Sequence, residues 1–242
     1  MPGLGRKCRL RASVSKVIRR EHRGAFMRPS LSASLVILAV LRPMACLADD
    51  SNEWYGRVGA LGAIYHSSAT IATEAGAIPG ATAHVSNSET ATLEVGYDVT
   101  SNAYLVFLAG VPPKPTISGE GSVQALGKLG EIRYGPAILS AGYRLPAFGY
   151  IQPYVGAGAA YAIIFRNYDA AVTDLRVHNH FGSAVQAGAD FRINDTLAVF
   201  VDVKQLWLSV NANGSLNGEI PVTARVKLNP TLISAGIKFR LR

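Results

Sequence analysis

The feature that most constrains this chain is a strict alternation at its end. Thr231, Ile233, Ala235, Ile237, Phe239 and Leu241 alternate with Leu232, Ser234, Gly236, Lys238 and Arg240. The first set is mostly apolar and carries an aromatic near its end; the second turns small, then basic. A period of two belongs to an extended strand whose faces lie in different media. One such strand fits any half-buried sheet, so the weight falls on its repetition.

Alternating segments recur at 54–65, 89–99, 103–111, 136–143, 151–165, 181–193 and 196–210, and 222–241 closes the chain. The spacing predicts eight strands. Their connections are long at 66–88, 112–131, 166–180 and 211–221, and short at 100–102, 145–150 and 194–195. Outer-membrane barrels have an even strand number, short periplasmic turns and long outer loops, whereas a soluble meander has no reason to sort its loops by side. Beyond the first 48 residues no apolar run approaches the roughly 20 residues of a spanning helix. The fold expected is therefore all-β, an eight-stranded antiparallel transmembrane β-barrel, because in lipid a sheet pairs its backbone only by closing on itself. The alternative is a lipocalin-like soluble barrel with the same apolar face turned inward.

The chain carries a net charge of +8, which raises the question of a nucleic-acid partner. Residues 1–48 hold ten Lys/Arg against Glu21 alone, while residues 49–242 hold fourteen Lys/Arg and fifteen Asp/Glu. The basic character belongs to the leader, so no nucleic acid is expected. Met27-Arg28, an apolar core from Leu31 to Leu41 and Ala45-Cys46-Leu47-Ala48 before Asp49 read as a signal peptide over 27–48. Residues 1–26 then read as an upstream over-extension, and 49–242 as the mature barrel, exported to the outer membrane. Both cysteines, Cys8 and Cys46, lie in the leader, which leaves the mature chain without a thiol.

Setting the apolar parity against lipid turns the charged parity inward. Glu94, Asp98, Arg144, Asp190, Arg192, Asp202, Lys204, Lys238 and Arg240 then form a charge plug beside the short turns, with Arg57 near it. An eight-stranded barrel is only wide enough for side chains or one small ligand, so balanced charges at one level should block it. Toward the long loops the inward residues become Val106, Leu108, Ile138, Ile164, Leu206 and Leu208. They line an apolar outer lumen suited to a small hydrophobic molecule released sideways into the bilayer, or they pack one another as a core. Aromatics near the rims are Trp54, Tyr97, Tyr143, Phe191, Trp207 and Phe239.

Several stretches resemble the OmpW family of small outer-membrane proteins. They are Gly130-Glu131 with Gly135-Pro136-Ala137, the run Pro153-Tyr154-Val155-Gly156-Ala157-Gly158, Gly182 to Gln186 with Asp190-Phe191, Asp202, and Val226-Lys227-Leu228-Asn229-Pro230 before Gly236. The resemblance implies an eight-stranded barrel with a hydrophobic outer channel proposed to pass small hydrophobic molecules. It also implies links to stress responses and to phage or colicin reception. Such chains commonly end in an aromatic read by the outer-membrane assembly machinery, a partner expected here too; this one ends Phe239-Arg240-Leu241-Arg242.

Enzymatic readings find little support. There is no Gly-x-Ser-x-Gly elbow, and His66, His84, His178 and His180 lie in loops without carboxylates at catalytic or metal spacing. No cofactor or metal is expected. The remaining rival is a structural or receptor barrel whose long loops meet external partners; those loops are neither strongly charged nor aromatic.

Overall fold

The computed structural model describes residues 53–216 and 218–241. The expected leader, signal peptide and upstream extension lie outside the described residues. Eight long strands form the wall: β1 (Glu53–Ile64), β2 (Ser88–Asp98), β3 (Ala103–Gly110), β4 (Lys128–Arg144), β5 (Ile151–Asp169), β6 (His180–Arg192), β7 (Leu197–Trp207) and β8 (Thr231–Leu241). Each pairs antiparallel with the next, and β1 closes the ring on β8 from Trp54↔Leu241 to Ile64↔Thr231.

Alternation explains why these segments are strands. In β7 Leu197, Val199, Val201 and Val203 point outward while Ala198, Phe200, Asp202 and Lys204 are buried inside. The outward set continues through Leu93, Val95, Val155, Val185, Ile233 and Ile237, all exposed to the surrounding medium. A continuous apolar band on the outside of a closed barrel needs lipid to cover it. Trp54, Tyr97, Tyr143, Phe191 and Phe239 fall toward the short-turn end of that band, with Trp54 and Tyr97 rings 5.0 Å apart. Trp207, Phe165 and Phe181 mark the other rim.

The long connections are where the fold departs from the sequence expectation. Instead of loops, they hold short strands that extend the barrel into a collar. Val172–Val177, Ser209–Leu216, Ile220–Lys227, Ser68–Thr73 and Gly76–Ala77 pair in that order as a second sheet. Ala81–Val85 and Thr116–Gly121 pair with each other and prolong the barrel sheet beside β4. Residues 222–227 accordingly belong to the collar and not to the closing strand. Asn229 at φ 35° and Pro230, which lacks an N–H, interrupt the ladder between them. β4 and β5 also run further outward than expected, pairing as far as Gly130↔Asp169.

Candidate functional site

The barrel interior divides into three levels. Nearest the short turns, four aromatics project inward from alternate strands: Tyr55, Tyr104, Tyr154 and Phe200, all buried. Each lies directly opposite a glycine on the following strand, in the pairs Tyr55↔Gly96, Tyr104↔Gly142, Tyr154↔Gly188 and Phe200↔Gly236. A side chain at three of those glycines would collide with the ring: an added Cβ would stand 2.0 Å from Tyr55 at Gly96, 2.2 Å from Tyr104 at Gly142 and 2.5 Å from the Tyr154 hydroxyl at Gly188. The glycines make room for rings that cross the lumen.

These rings frame an ionic network centred on Arg57. Its guanidinium donates to Asp190 Oδ1 (2.7 Å), Glu94 Oε2 (3.3 Å) and the Tyr154 hydroxyl (3.1 Å). It also lies 4.7 Å from the centre of the Tyr154 ring and 5.1 Å from that of Phe200. Lys204 donates to Glu94 Oε1 (2.8 Å) and to Asp202, whose other oxygen accepts from Tyr154 (2.9 Å). Lys238 holds Asp190 Oδ2 at 2.6 Å, and Arg144 holds Asp98 Oδ1 at 2.6 Å. Arg57, Lys204, Lys238 and Arg144 thus balance Glu94, Asp98, Asp190 and Asp202. Pairing removes the large cost of an isolated buried charge, and the crossing side chains fill a lumen of this width.

Two residues expected in this plug stand outside it. Arg192 and Arg240 end their strands and are exposed at the barrel mouth. There Arg192 donates to Gln152 Oε1 (2.9 Å) and Arg240 lies 3.4 Å from Glu53. With the plug's own Asp98, Arg144, Asp190 and Lys238 they line a polar cavity of about 300 Å³. Parity gave them the correct face, but the barrel wall stops before it can cover them. Arg57, expected only nearby, is the hub, and the inward tyrosines were missed. Tyr154 could have been found from the inward parity it shares with Gly156 and Gly158.

Above the plug, Thr92, Ser140, Gln186 and Ser234 form a thin polar level, with Gln186 Nε2 donating to the Tyr104 hydroxyl at 2.8 Å. Beyond it the interior is apolar. Leu108, Ile138, Leu206 and Leu208 join one continuous cluster with Leu61, Ile132, Tyr134 and Leu232 that runs on into the collar, and Ile164 packs against it half-buried. Val106 differs from the expectation: it packs lower, with Tyr104 and Tyr154. Side chains fill this outer half, leaving a recess of about 20 Å³ near Leu108 and Tyr134 and an apolar cavity of about 60 Å³ between the collar sheets.

The wall around the apolar half is incomplete on one side. The β3–β4 ladder ends at Leu108↔Ile138. Beyond it, Pro112, Pro113, Pro115 and Pro136 have no N–H to donate, and the strand edges are linked through Tyr134 N–H to Pro113 O (3.3 Å) and Ile132 N–H to Pro115 O (3.4 Å). The recess lined by Leu61, Leu108, Val111, Tyr134, Pro136 and Leu232 lies at this interruption.

The chain matches the model of the OmpW family over residues 57–241. It is 30% identical over 204 residues to the dibenzothiophene metabolism operon protein PahQ of Pseudomonas aeruginosa, covering 83% of this chain and 96% of that protein. Outer membrane protein AlkL of Ectopseudomonas oleovorans is 31% identical over 164 residues, 68% of this chain and 71% of that one. A solid-state NMR structure of AlkL in DMPC lipid bilayers superposes with a TM-score of 0.63 at 26% identity, covering 83% of this chain and 95% of that one. The crystal structure of OprG from Pseudomonas aeruginosa superposes with a TM-score of 0.74 at 20% identity, covering 79% and 97%. This chain belongs to the OmpW family and is an eight-stranded β-barrel of the bacterial outer membrane, its apolar band against lipid.

Proposed function

We propose that the barrel admits small, uncharged hydrophobic molecules from outside and releases them sideways into the bilayer between β3 and β4. The observation that carries this reading is the interrupted β3–β4 ladder beside Leu108, set directly above a lumen blocked by ion pairs. An apolar solute entering through the collar meets Leu206, Leu208, Ile138, Ile164 and Leu108, then Val106 at the floor. Continuing downward would place it among buried charges, at a desolvation cost of several kcal/mol. Moving sideways exchanges one apolar environment for another. The apolar half is filled by flexible side chains, so passage proceeds by their repacking, without a standing pore. PahQ is named for an operon of dibenzothiophene metabolism, and a fused-ring aromatic of that kind suits the lumen chemically.

The test is uptake of a fused-ring aromatic hydrocarbon by cells that express the barrel. Leu108→Lys or Leu206→Glu should slow uptake while the protein still folds, because each sets a charge on the apolar path. Unchanged uptake in both variants removes the case for transport.

A further inference from the structure

The outward face of the collar carries charges that neither the plug nor the apolar path uses. Arg133 and Arg166 are directly opposed across the β4–β5 ladder, and both are exposed. Like charges facing each other across a sheet are destabilising unless something neutralises them. Among the described residues, neither arginine takes part in an ion pair. Beside them Lys114 and Lys128 share the Glu131 carboxylate, while the carboxylate of Asp169, opposite Gly130, is taken up by the Asp174 and Leu175 N–H groups, so the patch keeps an excess of positive charge.

Its position is as telling as its charge. The register shifts at Arg133/Tyr134, which leaves Phe165 as the unpaired residue on the β5 side, outward and 57% exposed beside Arg166. Membrane-ward of it, Tyr161 and Phe181 stack outward with ring centres 4.4 Å apart. Aromatics at that level mark the boundary between acyl chains and headgroups. The arginine pair therefore stands just outside the hydrocarbon. The acidic side chains Glu74, Glu120 and Glu219 lie instead at the far hairpin ends of the collar, away from the bilayer.

We infer that Arg133 and Arg166, supported by Lys114 and Lys128, bind the phosphate groups of an anionic glycolipid in the outer leaflet, of the lipopolysaccharide type. Guanidinium forks match phosphate oxygens in geometry as well as charge, and a phosphate between the two arginines replaces their mutual repulsion with attraction. Phe165 supplies the apolar contact for the acyl chains below. The lipid would anchor the β4–β5 edge of the collar, next to the proposed exit.

The experiment titrates purified full-length barrel in neutral detergent with bisphosphorylated lipid A, monophosphorylated lipid A and inorganic phosphate, read by native mass spectrometry. Saturable binding of the bisphosphorylated lipid is expected, with weaker binding of the monophosphorylated form. Arg133→Gln with Arg166→Gln should weaken it roughly thirtyfold, while Arg133→Lys with Arg166→Lys, which keeps the charge but loses the fork, should fall between that variant and the parent. The glutamine pair should also unfold no more easily than the parent in lipid-free detergent, since it removes a repulsion. Should it fail to fold, Arg166→Gln alone carries the same comparison. Equal binding by parent and glutamine variants would overturn the inference, as would displacement of the lipid by millimolar inorganic phosphate, which would assign the patch to free anions.

Discussion

The two halves of the lumen share one sheet and one parity, yet they are held by different forces. In the lower half each charged side chain has named partners at hydrogen-bond distance, and Arg57 bridges β2, β5 and β6 from β1. Such a network adds little net stability compared with an apolar core, but losing one member is costly because the others stay buried and unpaired. In the upper half no contact is specific in that sense. Leu108, Leu206 and their neighbours hold place by volume, and volume can be rearranged. A rigid floor under a deformable ceiling is the arrangement that would turn a solute sideways.

The largest test of this contrast is Arg57→Gln. It leaves Glu94 and Asp190 partly unpaired and should cost about 3–5 kcal/mol. Urea unfolding in lipid vesicles, followed by the fluorescence of Trp54 and Trp207, would measure it; a loss near zero would mean that the network is not what holds the floor. Leu206→Ala in the upper half should cost less, about 2 kcal/mol, because soft surroundings collapse into the space. The same variant should speed uptake of the aromatic hydrocarbon, and slower uptake would argue against passage by repacking. Gly142→Ala should destabilise by about 1–2 kcal/mol through contact with the Tyr104 ring, and Tyr104→Leu in the same chain should recover much of that loss. An additive double variant would show that ring and glycine are not coupled.

The smallest effect lies in the collar. Hydrogen bonds from Lys114 and then Lys128 hold the Glu131 carboxyl down at about 2. Its value is lower folded than unfolded, so its contribution is complete above the ordinary carboxylate pKa of 4.5 and is lost as pH falls through about 2. Protease resistance of the collar should decline over that window in the parent, and Glu131→Gln should flatten the profile. An identical decline in both would assign it to other groups.

Parity made much of the barrel legible. Glu94, Asp98, Arg144, Asp190, Asp202 and Lys204 point inward because alternation is a local property of each strand. Height along the barrel axis is not local, so parity alone does not separate Arg192 and Arg240 from the plug, or Val106 from Leu108. Register is hidden for the same reason. Nothing within β1 or β2 says that Tyr55 will face Gly96, although the inward tyrosines and glycines were all visible separately. The collar strands escaped because they are short and rich in Thr, Ala and Ser. Their apolar face emerges only when Val222 and Val226 of one segment meet Ile71 of another and Val172 of a third.

The ion-pair network of Arg57, Glu94, Asp190 and Lys204 should seal the lower lumen to ions, as the proposed sideways exit requires. Single-barrel current in a planar bilayer tests it most directly. The parent should show little or no steady conductance; large, stable, porin-like steps would mean that the lower lumen is open.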